Sequence, residues 1–190
     1  MSLEMDVKER IMNAAIEEFN KKGLKFTMDD VAANLSMSKK TLYKVFEDKE
    51  ALFFSMVDYC FDAIKESEQE ILRDEEMDIV EKIRRIIIVL PNRYGNIDLR
   101  RLYSLKEKFP ATYRKLEGRL ESDWDATIML LEQGIREGRI KPVSIPILKT
   151  MVEGTIEHFL SRDTLLKQDI TYPEDLENMM DILMEGITVK

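Results

Sequence analysis

The chain has 190 residues, 44% of them apolar and 35% charged, with a net charge of −8. That supplies one large or two small packed cores in a soluble, helix-rich protein. It excludes a bilayer-spanning segment, because the longest apolar run, Ile86 to Leu90, is far shorter than the ~20 residues required. The opening residues MSLEMDVKER lack the basic-then-apolar order of a secretory leader, and Cys60, the single cysteine, permits no intrachain disulfide. Both features fit a reducing cytoplasm.

The acidity is unevenly spread. Residues 1–53 carry 9 Lys/Arg against 10 Asp/Glu, and residues 54–190 carry 20 against 27. Ser36 to Lys49 is locally basic, with four lysines against Glu47 and Asp48. An acidic body beyond the ~10 Å screening length does little to a basic contact face.

In chain order the periodicity is helical throughout, with no alternating strand pattern and no hairpin dipeptide. Val7, Ile11, Ala14, Ala15 and Phe19 mark a helix over Asp6 to Lys22, stopped by Gly23. Thr27 caps a second helix, with Asp29 and Asp30 in its first turn. Ser38 caps a third, to about Phe46, and Asp48 a fourth, from Lys49 to about Leu72. The acidic stretch Asp74-Glu75-Glu76 reads as a connector. A fifth helix runs from about Asp78 to Leu90, before Pro91, and a shorter one from Leu99 to Lys108, before Pro110. One long helix is expected from Ala111 to about Glu137, ended by Gly138. Pro146 to Arg162 and Pro173 to Ile187 close the chain. The fold class is all-α, with about nine helices.

Thr27 to Phe46, TMDDVAANLSMSKKTLYKVF, carries the functional signal. Two helices crossing steeply need apolar residues on the shared side and a small residue where their backbones approach. Val31, Leu35, Met37, Leu42 and Val45 take the apolar places, and Ala32 the close approach. Lys39, Lys40, Thr41, Tyr43 and Lys44 are left to point outward, as a recognition helix in a major groove requires. Taken one at a time, these are solvated residues; taken together they are the layout of a helix-turn-helix.

With Val31-Ala32, Ser36-Met37-Ser38, Thr41-Leu42-Tyr43, Phe46 and Lys49-Glu50-Ala51-Leu52 following Thr27, the stretch resembles the DNA-binding signature of tetracycline-repressor-type (TetR family) transcription regulators. The helix with Ala14-Ala15 and Phe19 before Gly23 also fits. The resemblance spans roughly residues 7–54. It departs from the family at Ser36, where glycine is usual, and at Lys40, where a small residue is frequent.

The resemblance implies an N-terminal three-helix DNA-binding domain, residues 1–53, and a C-terminal helical ligand-binding and dimerisation domain, residues 54–190. It implies that Thr27 caps its helix and donates to a phosphate, that Ser38 belongs to the interface, and that Tyr43 and Lys44 contact phosphates or base edges. It implies that Lys49 reaches a phosphate at the start of the fourth helix. Lys39, Lys40 and Thr41 are the candidates for base readout.

One recognition helix covers too few base pairs, so a homodimer on a palindromic operator of double-stranded DNA is expected. The broad apolar stripes of the last two helices are the candidate dimer faces: Leu148, Val152, Thr155 and Phe159, with Leu176, Met180, Leu183, Met184 and Ile187. The family also implies a small-molecule effector that releases the operator. Arg93, Tyr94, Tyr103, Phe109, Tyr113, Trp124, Met129, Met151 and His158 are candidate pocket residues; nothing in the sequence names the ligand. Two other classes compete. An enzyme lacks support, because His158 is the sole histidine and no metal spacing or phosphate loop exists, so no cofactor and no metal are expected. A helical protein-interaction module without DNA draws on the negative net charge.

Overall fold

The computed structural model describes residues 3–90, 104–122, 124–161 and 171–189. They form helices α1 (Leu3–Lys22), α2 (Met28–Asn34), α3 (Lys39–Val45), α4 (Lys49–Arg73), α5 (Ile79–Ile87), α6 (Leu105–Lys108), α7 (Pro110–Ser122), α8 (Asp125–Arg136), α9 (Ile145–Ser161) and α10 (Tyr172–Ile187), with a 3-10 turn at Gly23–Lys25 after α1. The all-α expectation holds among the described residues, apart from an isolated bridge between Ile140 and Thr188.

The expected single helix from Ala111 to Glu137 is instead two, α7 and α8. The Ser122-Asp123-Trp124-Asp125 sequence combines weak helix formers, and Trp124, at the N-cap of α8, is buried in a core cluster. Of the piece expected over Leu99 to Lys108, Leu105–Lys108 is helical with Ser104 before it; residues 99–103 lie outside the described residues. Gly23 (φ 58°) and Gly138 (φ 70°) take left-handed conformations where glycine escapes the Cβ penalty, so both helix stops fall where expected.

The chain divides into two compact units, Met1–Asp62 with Asn96–Leu116, and Ala63–Gly95 with Glu117–Lys190. The core of the first is built by α1, α2, α3 and the start of α4: Ile11, Ala15, Phe19, Phe26, Val31, Leu42, Leu52 and Phe53 are buried. Phe53 is its hub, with ring centroids 5.9 Å from Phe19, 5.3 Å from Phe26 and 5.6 Å from Phe109. Lys115 fixes the start of α7 in the same unit, donating to the Phe54 carbonyl at 3.0 Å and to Asp58.

The second unit packs α5, α8, α9 and α10 around Ile83, Ile86, Leu131, Ile140, Val152 and Met180. Gly134 lets α8 lie close to its neighbours: a Cβ there would stand 2.8 Å from Ile140 Cγ1 and 3.1 Å from Ile83 Cδ1. Arg84 ties α5 to α10 through Glu177 and Asp181, at 2.6 and 2.7 Å. No described helix is long and apolar enough to cross a membrane.

Candidate nucleic-acid interface

The start of α2 is fixed by a reciprocal cap. The Asp30 amide donates to Thr27 Oγ1 at 3.2 Å, and the Thr27 amide donates to Asp30 Oδ2 at 2.8 Å. Thr27 Oγ1 accepts in this arrangement, so its exposed O–H proton remains for another acceptor. Asp30 also pairs with Lys22 at 2.9 Å, and Lys22 pairs with Glu18 at 3.1 Å. Glu18 is buried and accepts further from Lys21 and from Asn34 at the end of α2. This network sets the angle of α2 on α1.

The network has a pH signature. Hydrogen bonds from Lys21, then Asn34 and Lys22, hold the Glu18 carboxyl down to about 2. Lys22, then Thr27, holds Asp30 to about 2. Both values are depressed, so their contribution to stability is complete above the unfolded carboxylate range and is lost as pH falls toward 2. The thermal midpoint is expected to drop between about pH 5 and pH 2.5, and Glu18→Gln is expected to show a smaller drop. An equal drop in the variant would remove Glu18 from this account.

The turn after α2 explains the first departure from the family pattern. The Ser36 amide donates to the Ala33 carbonyl at 3.1 Å and the Met37 amide to the Ala32 carbonyl at 2.8 Å. These two bonds make a Schellman closure, which needs a left-handed residue between helix and turn. Ser36 supplies it at φ 51°. The Cβ penalty there is ~1–2 kcal/mol, and glycine's extra freedom when unfolded offsets ~0.4–1 kcal/mol of the relief. Ser36→Gly is therefore expected to stabilise by about 0.5–1 kcal/mol, read as a higher thermal midpoint with DNA binding retained.

Ser38 caps α3: the Thr41 amide donates to Ser38 Oγ at 3.1 Å, and the two hydroxyls lie 2.8 Å apart. Leu42 and Phe46 are buried and Val45 half-buried, which turns the other side of α3 outward. Lys39, Lys40, Thr41, Tyr43 and Lys44 are all exposed, with Tyr43 48% accessible. Lys40, Tyr43 and Lys44 have no hydrogen-bond or ion-pair partner among the described residues. Lys39 does: its ammonium pairs with Asp29 Oδ2 at 2.5 Å, a partner the sequence reading missed.

Lys49 departs from its expected place. Its ammonium turns inward, donating to the Leu24 carbonyl at 2.7 Å and the Phe26 carbonyl at 2.5 Å. It lies 4.3 Å from the Phe26 ring centroid and 5.7 Å from that of Phe53. Burial, then the neighbouring Lys108 charge, pushes it below the ordinary lysine value. It closes the carbonyls of the 3-10 turn instead of offering a charge to a phosphate. The α4 N-terminus is capped by Asp48, whose Oδ1 accepts from the Ala51 amide at 2.7 Å.

An all-helical unit with two short capped helices around a tight turn and five outward residues on the second is the geometry of a major-groove reader. Residues 11–56 match the model of the family described as bacterial regulatory proteins, tetR family. Over those residues the chain is similar to the DNA-binding segment of TetR-family regulators. It is 28% identical over 180 residues to the HTH-type transcriptional regulator YvaF of Bacillus subtilis, covering 95% of both chains. It is 25% identical over 178 residues to the nucleoid occlusion factor SlmA of Vibrio campbellii, covering 87% of this chain and 86% of that one. Its fold is shared with a TetR transcription regulator from Haloarcula marismortui at a TM-score of 0.76 and 16% identity, covering 97% of this chain and 100% of that chain. These likenesses support the function of a DNA-binding transcription regulator.

The expected pocket residues that are described divide between the two units. Phe109 and Tyr113 belong to the first unit, where Phe109 stacks on Phe53. Trp124 fills the core of the second unit, and Met129, Met151 and His158 are exposed. Arg93, Tyr94 and Tyr103 lie outside the described residues. Apolar and aromatic composition identifies filler without saying which core it fills. The second unit instead carries an open groove of about 720 Å³, lined by Ile71, Met77 and Ile88 with Glu70, Glu81, Arg84 and Arg85.

The expected dimer residues also divide. Leu148, Val152, Leu176, Met180, Met184 and Ile187 are buried within one chain, while Thr155, Phe159 and Leu183 are half-buried. Among the described residues, the large apolar side chains that α9 and α10 leave in solvent are Ile147 at 60%, Met151 at 59% and Ile182 at 78% exposure. Both stripes are broad enough to serve two surfaces, and the inner half of each is taken by α5 and α8.

Proposed function

We propose that this protein is a cytoplasmic homodimeric TetR-family repressor that binds a palindromic operator through α3 and is released by a small-molecule effector. The observation that carries the DNA reading is the sidedness of α3: Leu42 is fully buried while Lys40, Tyr43 and Lys44 are exposed and unpartnered among the described residues. Lys40 reads a base and Lys44 and Tyr43 hold phosphates; Thr27 and Ser38 sit at the helix starts that flank the same surface. The dimer reading rests on Ile147 and Met151, four apart along α9, and on Ile182 of α10. Exposed apolar side chains on two neighbouring helices are a surface that a second copy would cover.

The effector reading rests on the family and on the groove of the second unit. Its Ile71, Met77 and Ile88 offer apolar contact, with Arg84 and Arg85 alongside Glu70 and Glu81. A ligand acts only if it binds the operator-incompetent arrangement better.

Selection of bound duplexes from a random pool tests the whole. A recovered palindrome is expected, with half-sites about one helical turn apart. Lys40→Ala is expected to change the selected sequence at one position per half-site, by about 1–3 kcal/mol of discrimination. Recovery of no preferred sequence, with flat and absent binding at low salt, would leave the helical interaction module as the better account. Sedimentation as a monomer at micromolar concentration would remove the dimer.

A further inference from the structure

The Asp29–Lys39 pair joins the first turn of α2 to the first turn of α3. Its side chains are 54% and 64% exposed, and an exposed pair of this kind contributes little to stability. Nor does the α2 cap need Asp29, because Asp30 closes it with Thr27 and Lys22. The pair therefore adds little to the fold. It does change the electrostatics of the reading face. Of the three lysines on α3, Lys39 is neutralised at its ammonium, and Lys40 and Lys44 are not.

We propose that Asp29 is a specificity-determining residue that acts through Lys39. It holds Lys39 off the phosphates of random DNA and yields it only to a base acceptor of the operator. This rests on the reading of α3 as the DNA-contacting helix. Sequence-independent affinity grows with each lysine that displaces a counterion from the backbone. A phosphate offers Lys39 a carboxylate-like partner and no net gain over Asp29. The paired N7 and O6 acceptors of a guanine offer a directional one, in a groove where the N-terminal residues of a recognition helix lie closest to the bases. Asp29 thus lowers binding to random sequence more than binding to the operator, which widens the ratio between them.

The test measures binding of the full-length chain to a random duplex of about 30 base pairs across a salt series, and to the selected operator. Asp29→Asn is expected to tighten random-duplex binding about fivefold near 0.1 M salt and to steepen the log–log salt slope by about 0.9. Operator affinity is expected to move less than about twofold, so the specificity ratio falls. In a Lys39→Ala background the Asp29→Asn gain should vanish. Glu47→Gln, which removes an exposed charge just beyond α3, should leave the slope unchanged.

An unchanged slope or weaker binding in Asp29→Asn overturns the proposal. So does a gain that persists without Lys39 or is matched by Glu47→Gln, since either would be a general loss of negative charge. If the unmodified chain binds no duplex at the lowest salt, the α3 reading itself fails and the proposal falls with it. That pattern is distinct from normal binding with an inert Asp29→Asn.

Discussion

Phe53→Ala is expected to lower stability by about 3–5 kcal/mol, the range for losing a buried aromatic side chain in a core that relaxes only partly. Phe53 is 3% exposed and meets three rings, Phe19 on α1, Phe26 after the 3-10 turn, and Phe109 at the junction of α6 and α7. The Phe19 contact is edge-on, with planes at 84°, and such pairs add ~0.5–1.5 kcal/mol beyond the area they bury. A domain is held by only ~5–15 kcal/mol in total, so the first unit would be partly open at physiological temperature. The loss should be read as faster amide exchange across α1 and α2, a lower thermal midpoint, and operator affinity that falls with temperature before the second unit melts. Phe53→Leu keeps most of the volume and should cost less than about 1.5 kcal/mol. A Phe53→Ala midpoint within a few degrees of the parent would mean that the four rings are not one core.

The same residue shows where sequence reading stops. That Phe53 and Phe109 are apolar is plain from the chain; that they touch across 56 positions depends on where α6 returns, and no periodicity records that. Local features were legible. Thr27, Ser38, Asp48 and Gly23 read as caps and stops because their chemistry acts within three residues of its target. The inside and outside of α3 followed from its 3.6-residue period, since burying Leu42 forces Lys40 and Tyr43 outward. Ser36 was legible as an anomaly, and its φ of 51° gives the anomaly a mechanism.

Tertiary partners were not legible. Asp29 and Lys39 are ten residues apart on different helices, and only the crossing angle of α2 and α3 brings them together. The apolar stripes of α9 and α10 state that something covers them. They do not state that α5 and α8 take Leu148, Val152 and Met180 while leaving Ile147, Met151 and Ile182 in solvent. A continuous helical period through Ser122-Asp123-Trp124 concealed the break between α7 and α8, because the pull of Trp124 into the second unit's core is a long-range effect.

Lys49→Met is expected to cost about 2–3 kcal/mol while leaving the salt dependence of DNA binding unchanged. Two accounts of Lys49 give opposite results here. A lysine on a phosphate releases a counterion, so its removal lowers the log–log salt slope by about 0.9 and leaves folding alone. A lysine that closes the Leu24 and Phe26 carbonyls, over the Phe26 ring, does the reverse. Methionine keeps the apolar stem against Phe26 and Phe53 and removes only the charge and its donors, so the two carbonyls lose a charged partner and the rings keep theirs. Hydrogen bonds to charged groups contribute ~1.5–3 kcal/mol each, with part of that recovered if water reaches the carbonyls. The midpoint should fall by several degrees. Lys49→Arg sharpens the choice. A phosphate contact survives it, because the charge is kept and guanidinium suits phosphate. The slot between two carbonyls at 2.7 and 2.5 Å fits a compact ammonium, and a planar guanidinium there displaces the 3-10 turn. Lower stability in both variants, with the salt slope preserved in both, makes Lys49 the residue that sets α1 and α2 against α4. A reduced slope in Lys49→Met with an unchanged midpoint would return it to the DNA.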